Sequence, residues 1–395
     1  MGLSRYGLII IGAGISGLSL AHYASKAGIK TLVIEKKPEP GGCLRTRRLD
    51  TGFWLELGAH TCYNSYGNLI GIIEDCGILD RLQGRKNVPF RMLVSGAVKS
   101  IPSELDFLEL FCSAPRALTL KKSGQTVESY YSKIAGKKNF LRALGPVLSA
   151  VPSQRADDFP AEMLFKRRPH RKDIMKKFTI KGGLQTITDA ISHSKGMELI
   201  AGARAKSVRV ENSLFKVSVE GMGEFVSDGL GIAVPPSEAS ALLMASFPEV
   251  SRKLSSIKVV PVESVGVTVK RDAVRVAPFA GLIPADDSFY SIVSRDTVHD
   301  ENYRGFSFHF KPAVGEEARL RRIREVLGTD RFEDVSGNAV ILPSPVLGHE
   351  KVIDELDVLL KGKRVFLTGN YFSGLAIEDC VTRSLNEFNR LNAQS

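Results

Sequence analysis

Tyr6 to Ile11 (YGLIII) runs without a break into Gly12-Ala13-Gly14-Ile15-Ser16-Gly17, and that junction constrains the chain more than any other stretch. The apolar run has the make-up of a buried parallel strand. The six residues after it form a G-x-G-x-x-G. A helix pattern follows (Leu18, Leu20, Ala21, Ala24), ended by Gly28, and a second strand pattern, Lys30 to Ile34, ends on Glu35. Strand, glycine turn, helix, strand and acid in that order predict a βαβ unit built around an adenine dinucleotide. Gly12 permits the tight turn, Gly14 lets backbone approach a pyrophosphate, and Gly17 lets helix and strand pack closely. The helix start at Ile15 and Ser16 faces the phosphates with free N–H groups and its positive dipole end. Glu35 stands where a carboxylate accepts from a ribose diol, which disfavours a phosphorylated ribose.

The residues beyond Glu35 narrow the dinucleotide. Gly41-Gly42-Cys43-Leu44-Arg45-Thr46 comes within a dozen positions of the acid, followed by Gly52 to His60 (GFWLELGAH). Nicotinamide sites have no general need for a second glycine pair here. Near the other end, Lys363 to Thr368 (KRVFLT) reads as another buried strand, and Gly369 to Val381 (GNYFSGLAIEDCV) leads into a final helix. Between them lie Lys181 to Thr186 (KGGLQT), at a helix start, and Ile232 to Pro236 (IAVPP), before an alanine- and leucine-rich helix.

These segments, in this order, resemble the FAD-dependent protoporphyrinogen oxidase and flavin-containing amine oxidase superfamily, and the likeness covers most of the chain. The cofactor it implies is FAD. By resemblance, Gly41 and Gly42 bring backbone close to the FAD and Arg45 lies by the pyrophosphate or flavin as a cation. Lys36, Cys43, Thr46, Gly58, Ala59 and His60 are further cofactor contacts, and the backbone near Ala205 touches the adenine end. Gly369, Asn370, Ala376 and Ile377 form the C-terminal contact, where a helix N-terminus offers N–H groups to the flavin C2 carbonyl. His60 is also the catalytic candidate, in a segment that runs close to the flavin ring. Arg91 sits like an arginine that contacts a propionate in some protoporphyrinogen oxidases, where its fork can bind a carboxylate bidentately.

Bulk properties exclude some classes. A chain of 395 residues can bury a large core and suits two intertwined domains. Five cysteines without a C-x-x-C pair argue for reduced thiols in a cytosolic setting and against a disulfide scaffold or a zinc site, so no metal is expected. The N-terminal apolar run is the nucleotide strand rather than a signal peptide, and no apolar stretch reaches the roughly 18 residues of a membrane span. The formal charge of +11 is concentrated in Lys121-Lys122, Lys137-Lys138 and above all Lys166 to Lys172 (KRRPHRK) with Lys176-Lys177. No recognition element accompanies it, so nucleic acid is not expected as a partner. A solvated loop, docking to an anionic membrane surface and attraction of an acidic substrate stay open for this stretch. Oligomeric state is not legible.

The expected fold is α/β (α+β overall): a Rossmann-like FAD-binding domain with a split, inserted substrate domain of mixed sheet and helices. The cofactor domain is expected over residues 1–82, 178–256 and 347–395, and the substrate domain over 83–177 and 257–346. The active site then lies in the cleft between them. The leading function is oxidation of protoporphyrinogen IX or another polyunsaturated or cyclic small molecule, by hydride transfer to flavin N5 with oxygen or a quinone as acceptor. The alternatives are a flavin amine oxidase, which often carries a lysine near N5, or a carotenoid-type desaturase. A UDP-galactopyranose-mutase-like enzyme and a flavin-binding protein without turnover are weaker rivals. Lys270 and Lys311 lie in plausible strands, yet either can simply face solvent. The segment Asn338 to His349 departs from the family: its tryptophan is missing, and Ser344-Pro345 replaces a Gln-Tyr pair.

Overall fold

The computed structural model describes residues 5–394; residues 1–4 and 395, the outer ends of the expected cofactor segments, lie outside it. The first strand is Arg5–Ile11, the glycine turn leads into helix Ile15–Lys26, and the second strand is Thr31–Glu35, which ends on the acid. These strands lie in a seven-stranded sheet ordered Met197–Ala201, Thr31–Glu35, Arg5–Ile11, Gly223–Ile232, Leu214–Val219, Ala205–Glu211. The seventh strand, Val365–Leu367, pairs with the end of Gly223–Ile232, through Leu230 and Ile232.

Alternation explains why the strands read as unbroken apolar runs. Leu8 and Ile10 face one core, with helix Ile15–Lys26 and the last helix, Ile377–Asn392. Ile9 and Ile11 face another, with helices Pro236–Leu243, Pro248–Ser255 and His349–Leu360. A parallel sheet covered on both sides needs apolar residues at every position.

The second sheet is also seven-stranded, in the order Asp334–Pro343, Val259–Lys270, Tyr303–Phe310, Phe289–Ser294, Gly281–Pro284, Phe90–Val94, Ala97–Ser100. It unites strands that are far apart in the chain, because Gly281–Pro284 runs parallel to Phe90–Val94. Here the two faces differ. Phe306, Phe308 and Phe310 pack with Phe289, Ile292 and Ile323 into one core. Each such burial contributes roughly 1.5–3 kcal/mol. Gly305, Ser307 and His309 alternate with them and face the other way, the first two onto the segment 54–57. A Cβ added at Gly266 would lie 2.3 Å from Leu57, and one at Gly305 2.9 Å from Leu55. Only glycine there lets this segment lie flat on the sheet.

Residues 107–164 form a small helical body with its own core of Val127, Phe140, Leu148, Phe159 and Leu164. The architecture is thus the α/β fold expected: a Rossmann-like sheet with a mixed second sheet and helices. Among the described residues no helix is long and apolar enough to cross a membrane.

Candidate active site

One cavity of about 1040 Å3 runs from the glycine turn to the second sheet. That is the upper end of the range for small-molecule pockets. Its near end is lined by Gly12, Gly14, Ile15 and Ser16, then by Glu35, Lys36 and Lys37, with Arg204, Ala205 and Lys206 beyond. Its middle is lined by Gly42, Cys43, Gly58, Ala59, His60, Gly369, Asn370 and Ile377.

The three glycines of the first turn serve different needs. Gly12 has φ +106°, and a Cβ there would sit 2.7 Å from the Ala233 carbonyl; a Cβ at Gly17 would sit 1.9 Å from the Gly12 carbonyl. Both are demanded by the chain's own packing. At Gly14 a Cβ would meet nothing nearer than the Gly42 Cα, at 3.8 Å. The protein does not fill the space beside Gly14, so a glycine there leaves room for something else. Gly41 forms a bridge with Gly14 and stands behind the cavity wall. The helices starting at Ile15 and Ile377 both lack a side-chain cap. Their first N–H groups therefore remain available beside the cavity.

Glu35 accepts from the Ala13 N–H and the Lys37 N–H, each at 2.8 Å. Each oxygen keeps a further lone pair for the cavity. Lys36 pairs with Glu238, and Lys206 with Glu220 at 2.9 Å, so the near end is polar and partly neutralised. Arg45 is outside the lining residues and its guanidinium bonds Glu39, whose carboxyl falls below its ordinary value despite partial desolvation. Thr46 is buried behind the wall, where its Oγ1 donates to Glu56 at 2.7 Å and its N–H to Gln185 at 3.0 Å. Ala376 precedes the last helix without lining the cavity.

His60 is held by Arg85, whose guanidinium donates to the His60 carbonyl. Desolvation, with the nearby Arg85 cation, pulls the imidazole down to about 3, so it is neutral near pH 7. The far end is a mostly apolar chamber of Ala150, Val151, Pro152, Pro261, Val262, Val293, Ile341, Leu342 and Leu375. Among the polar residues at this end are Ser264, His309 and Asn338. His309 Nδ1 and Ser264 Oγ are 2.8 Å apart, and Asn338 pairs with Ser264 on the adjoining strand. Desolvation lowers His309 to about 4.

These three were missed in the sequence, although FSFHF within Tyr303–Phe310 carried a signal. Strict alternation places His309 opposite the phenylalanines, on the face that is not packed into the second core. Lys270 and Lys311 are away from the cavity; Lys311 lies 3.5 Å from Asp286. Arg91 is likewise not brought to the cavity. It is half-buried within Phe90–Val94, paired with Ser100 and Leu282.

The basic stretch after Lys166 is a strap rather than a free loop. Arg168 pairs with Asp379 at 2.6 Å, Lys166 bonds the Ser373 carbonyl, and Arg171 pairs with Glu74 and Asp173. All five cysteines are free, and among the described residues no cluster of His, Cys, Asp or Glu is placed to hold a metal.

Comparison with known proteins agrees with this geometry. The family model of the NAD(P)-binding Rossmann-like domain matches residues 10–75. Chloroplastic protoporphyrinogen oxidase of Nicotiana tabacum is 24% identical over 456 residues, covering 94% of this chain and 83% of its own. The 15-cis-phytoene desaturase of Capsicum annuum is 36% identical over 80 residues, 20% of this chain; the match spans only 14% of the desaturase. A solved structure from an Exiguobacterium species, provisionally named a protoporphyrinogen oxidase, superposes with a TM-score of 0.81 at 18% identity over all of both chains. Fold and site together define a Rossmann-like dinucleotide-binding protein. More particularly, the chain is similar to protoporphyrinogen oxidase over most of its length and to phytoene desaturase over its first part.

Proposed function

We propose that the chain is an FAD-dependent oxidoreductase that dehydrogenates an apolar polyunsaturated or cyclic substrate. The observation that carries this reading is the single cavity joining a glycine turn with room beside Gly14 to an apolar chamber on the second sheet. The residues present fit FAD, since the unfilled space at Gly14, the uncapped helix starts and the Glu35 carboxylate suit a diphosphate and a ribose. Gly12, Gly14, Ile15, Ser16 and Gly42 would hold the pyrophosphate, Glu35 the ribose, and Lys36 and Ala205 the adenosine end. Cys43, Gly58, Ala59, His60, Gly369, Asn370 and Ile377 would surround the ring. When bound, FAD supplies a hydride acceptor at N5.

The chain's own residues then exclude water and orient the substrate. Ala150 to Ser153 form one wall and Pro261 to Ser264 another. Neutral His60 and His309 add no charge beside the ring site. Residues 1–82, 178–256 and 347–395 would act as the cofactor part, and 83–177 with 257–346 as the substrate part. No lysine or arginine lines the chamber among the described residues, and Arg91 lies elsewhere. Propionates of a porphyrinogen would lack a cation there, which favours a desaturase-type substrate over a porphyrinogen. Anaerobic mixing with porphyrinogens, amines and polyenes tests the reading: a polyene or cyclic alkene should bleach the flavin. Colourless protein that takes up NAD and no flavin would overturn it.

A second contact surface is favoured by exposed apolar side chains outside the cavity. Phe107, Leu108, Phe111 and Leu118 stand out from helix Phe107–Ser113 and the turn after it, with Leu118 90% exposed. Arg116, Lys121, Lys137 and Lys138 are exposed around them, while Glu109 is turned inward to accept from the Lys138 and Asn139 N–H groups. Apolar anchors ringed by cations suit an anionic membrane surface. Peripheral association belongs here rather than to the strapped residues 166–171.

A further inference from the structure

Four polar residues stand side by side across four adjacent strands of the second sheet. Asn338 pairs with Ser264, Ser264 with His309, and His309 with Ser291. Directly opposed residues of antiparallel strands project to the same face, with Cβ atoms about 5 Å apart. Asn338, Ser264 and His309 line the cavity, as does Val293, two residues from Ser291 on the same strand. All four are at least nine-tenths buried.

The row is only partly satisfied from within the protein. His309 Nδ1 and Ser264 Oγ bond each other at 2.8 Å, and Asn338 donates to the Leu57 carbonyl at 3.4 Å, a long contact. His309 Nε2 makes no hydrogen bond to a described residue, and Ser291 Oγ is buried without a partner. Buried polar groups left open cost on the order of 1–3 kcal/mol each. Two open groups in a line of four buried polar residues, beside apolar walls, form a hydrogen-bonding site.

The charge around the row restricts its occupant. Glu263, next to Ser264, is in register with Phe310 and pairs with Arg319, so its carboxylate lies on the opposite face of the sheet from the row. A carboxylate at the row would meet no lysine or arginine among the described lining residues of the chamber, and an isolated buried charge is strongly disfavoured. Both imidazoles are neutral and can donate or accept. We propose that the Asn338–Ser264–His309 part of the row, backed by Ser291, is a subsite for one uncharged polar group, a hydroxyl or carbonyl, on an otherwise apolar, elongated substrate. This rests on the reading that the far end of the cavity takes the substrate. His309 is the residue that touches the polar group, and Ser264 positions it.

The test titrates the FAD-loaded protein with all-trans-retinol and all-trans-retinoic acid, which share a polyene skeleton and differ in charge. Binding is read from the probes' own absorbance and fluorescence, so turnover is not needed. Retinol should bind at least about tenfold more tightly than retinoate at pH 8. His309→Leu should weaken retinol roughly three- to tenfold, the range for one hydrogen bond, with unchanged FAD content. Ser264→Ala should give a smaller loss and serves if His309→Leu folds poorly. Equal or tighter binding of retinoate, or wild-type retinol affinity in both variants, overturns the proposal. If polyenes still bleach the flavin in that case, the proposed function stands and only the subsite falls. If neither probe binds and no polyene bleaches the flavin, both fail.

Discussion

Arg168 donates to the carboxylate of Asp379 at 2.6 Å, joining residues 211 positions apart in the chain. Both side chains are largely buried, at 19% and 9% exposure, and the guanidinium also lies over the Tyr66 ring. The pair ties the basic strap to the first turn of the helix whose start borders the cavity. Arg168→Ala should lower the unfolding free energy by about 2 kcal/mol, between the values for exposed and fully buried pairs. Denaturant titration of the FAD-free protein checks this, and an effect under about 0.5 kcal/mol would make the strap incidental.

The two glycines Gly14 and Gly17 should fail in different ways. Gly14→Val should fold, because its Cβ has open space, and should lose FAD, because the side chain takes that space. Gly17→Ala should lose folded protein outright, since its Cβ would sit 1.9 Å from the Gly12 carbonyl. Circular dichroism with flavin content separates the two outcomes. A Gly14→Val protein that retains FAD contradicts the pyrophosphate assignment.

Glu35→Ala should weaken FAD binding by about 1.5–3 kcal/mol, the range for hydrogen bonds to a charged group. The variant also leaves the Ala13 and Lys37 N–H groups without their acceptor, so a small fall in stability accompanies it. An unchanged dissociation constant for FAD means the carboxylate serves only those two amides.

Glu56 should make the protein less stable as pH rises. It is buried and accepts from Thr46 Oγ1 and the Leu184 N–H, yet desolvation outweighs both bonds and pushes it up to about 7. Its folded value lies above the ordinary 4.5, so its contribution is fully present below about pH 4.5 and lost as pH rises through 7. Glu56→Gln should remove that slope, gaining on wild type by on the order of 3 kcal/mol between pH 5 and pH 8. Parallel slopes in both proteins would show that Glu56 titrates normally.

The apolar surface at residues 107–118 should bind anionic vesicles. Phe107→Ser with Phe111→Ser should abolish cosedimentation with phosphatidylglycerol vesicles, and 0.5 M salt should weaken the wild-type interaction. Arg171→Ala should leave it unchanged. Equal binding to neutral vesicles would remove the electrostatic part of the argument.

Much of the near end of the cavity is legible in the residues themselves. The φ of +106° at Gly12, the approach of Gly17 to the Gly12 carbonyl and an acid closing the second strand are local demands, although the chain that packs on Gly12, at Ala233, comes from far along the sequence. The unbroken apolar runs likewise mark the buried strands, because a sheet covered on both faces leaves few polar positions. Arg45, Arg91 and the far chamber were decided otherwise. Arg45 turns to Glu39, Arg91 stays in its own sheet, and the basic strap finds Asp379, all through partners that spacing does not reveal. The polar row joins residues 264, 291, 309 and 338, which meet only when four strands align in register. Sequence determines which residues can alternate, turn or bury. Register and long-range packing determine which of them meet, because those contacts depend on strand order and closure rather than on neighbours in the chain.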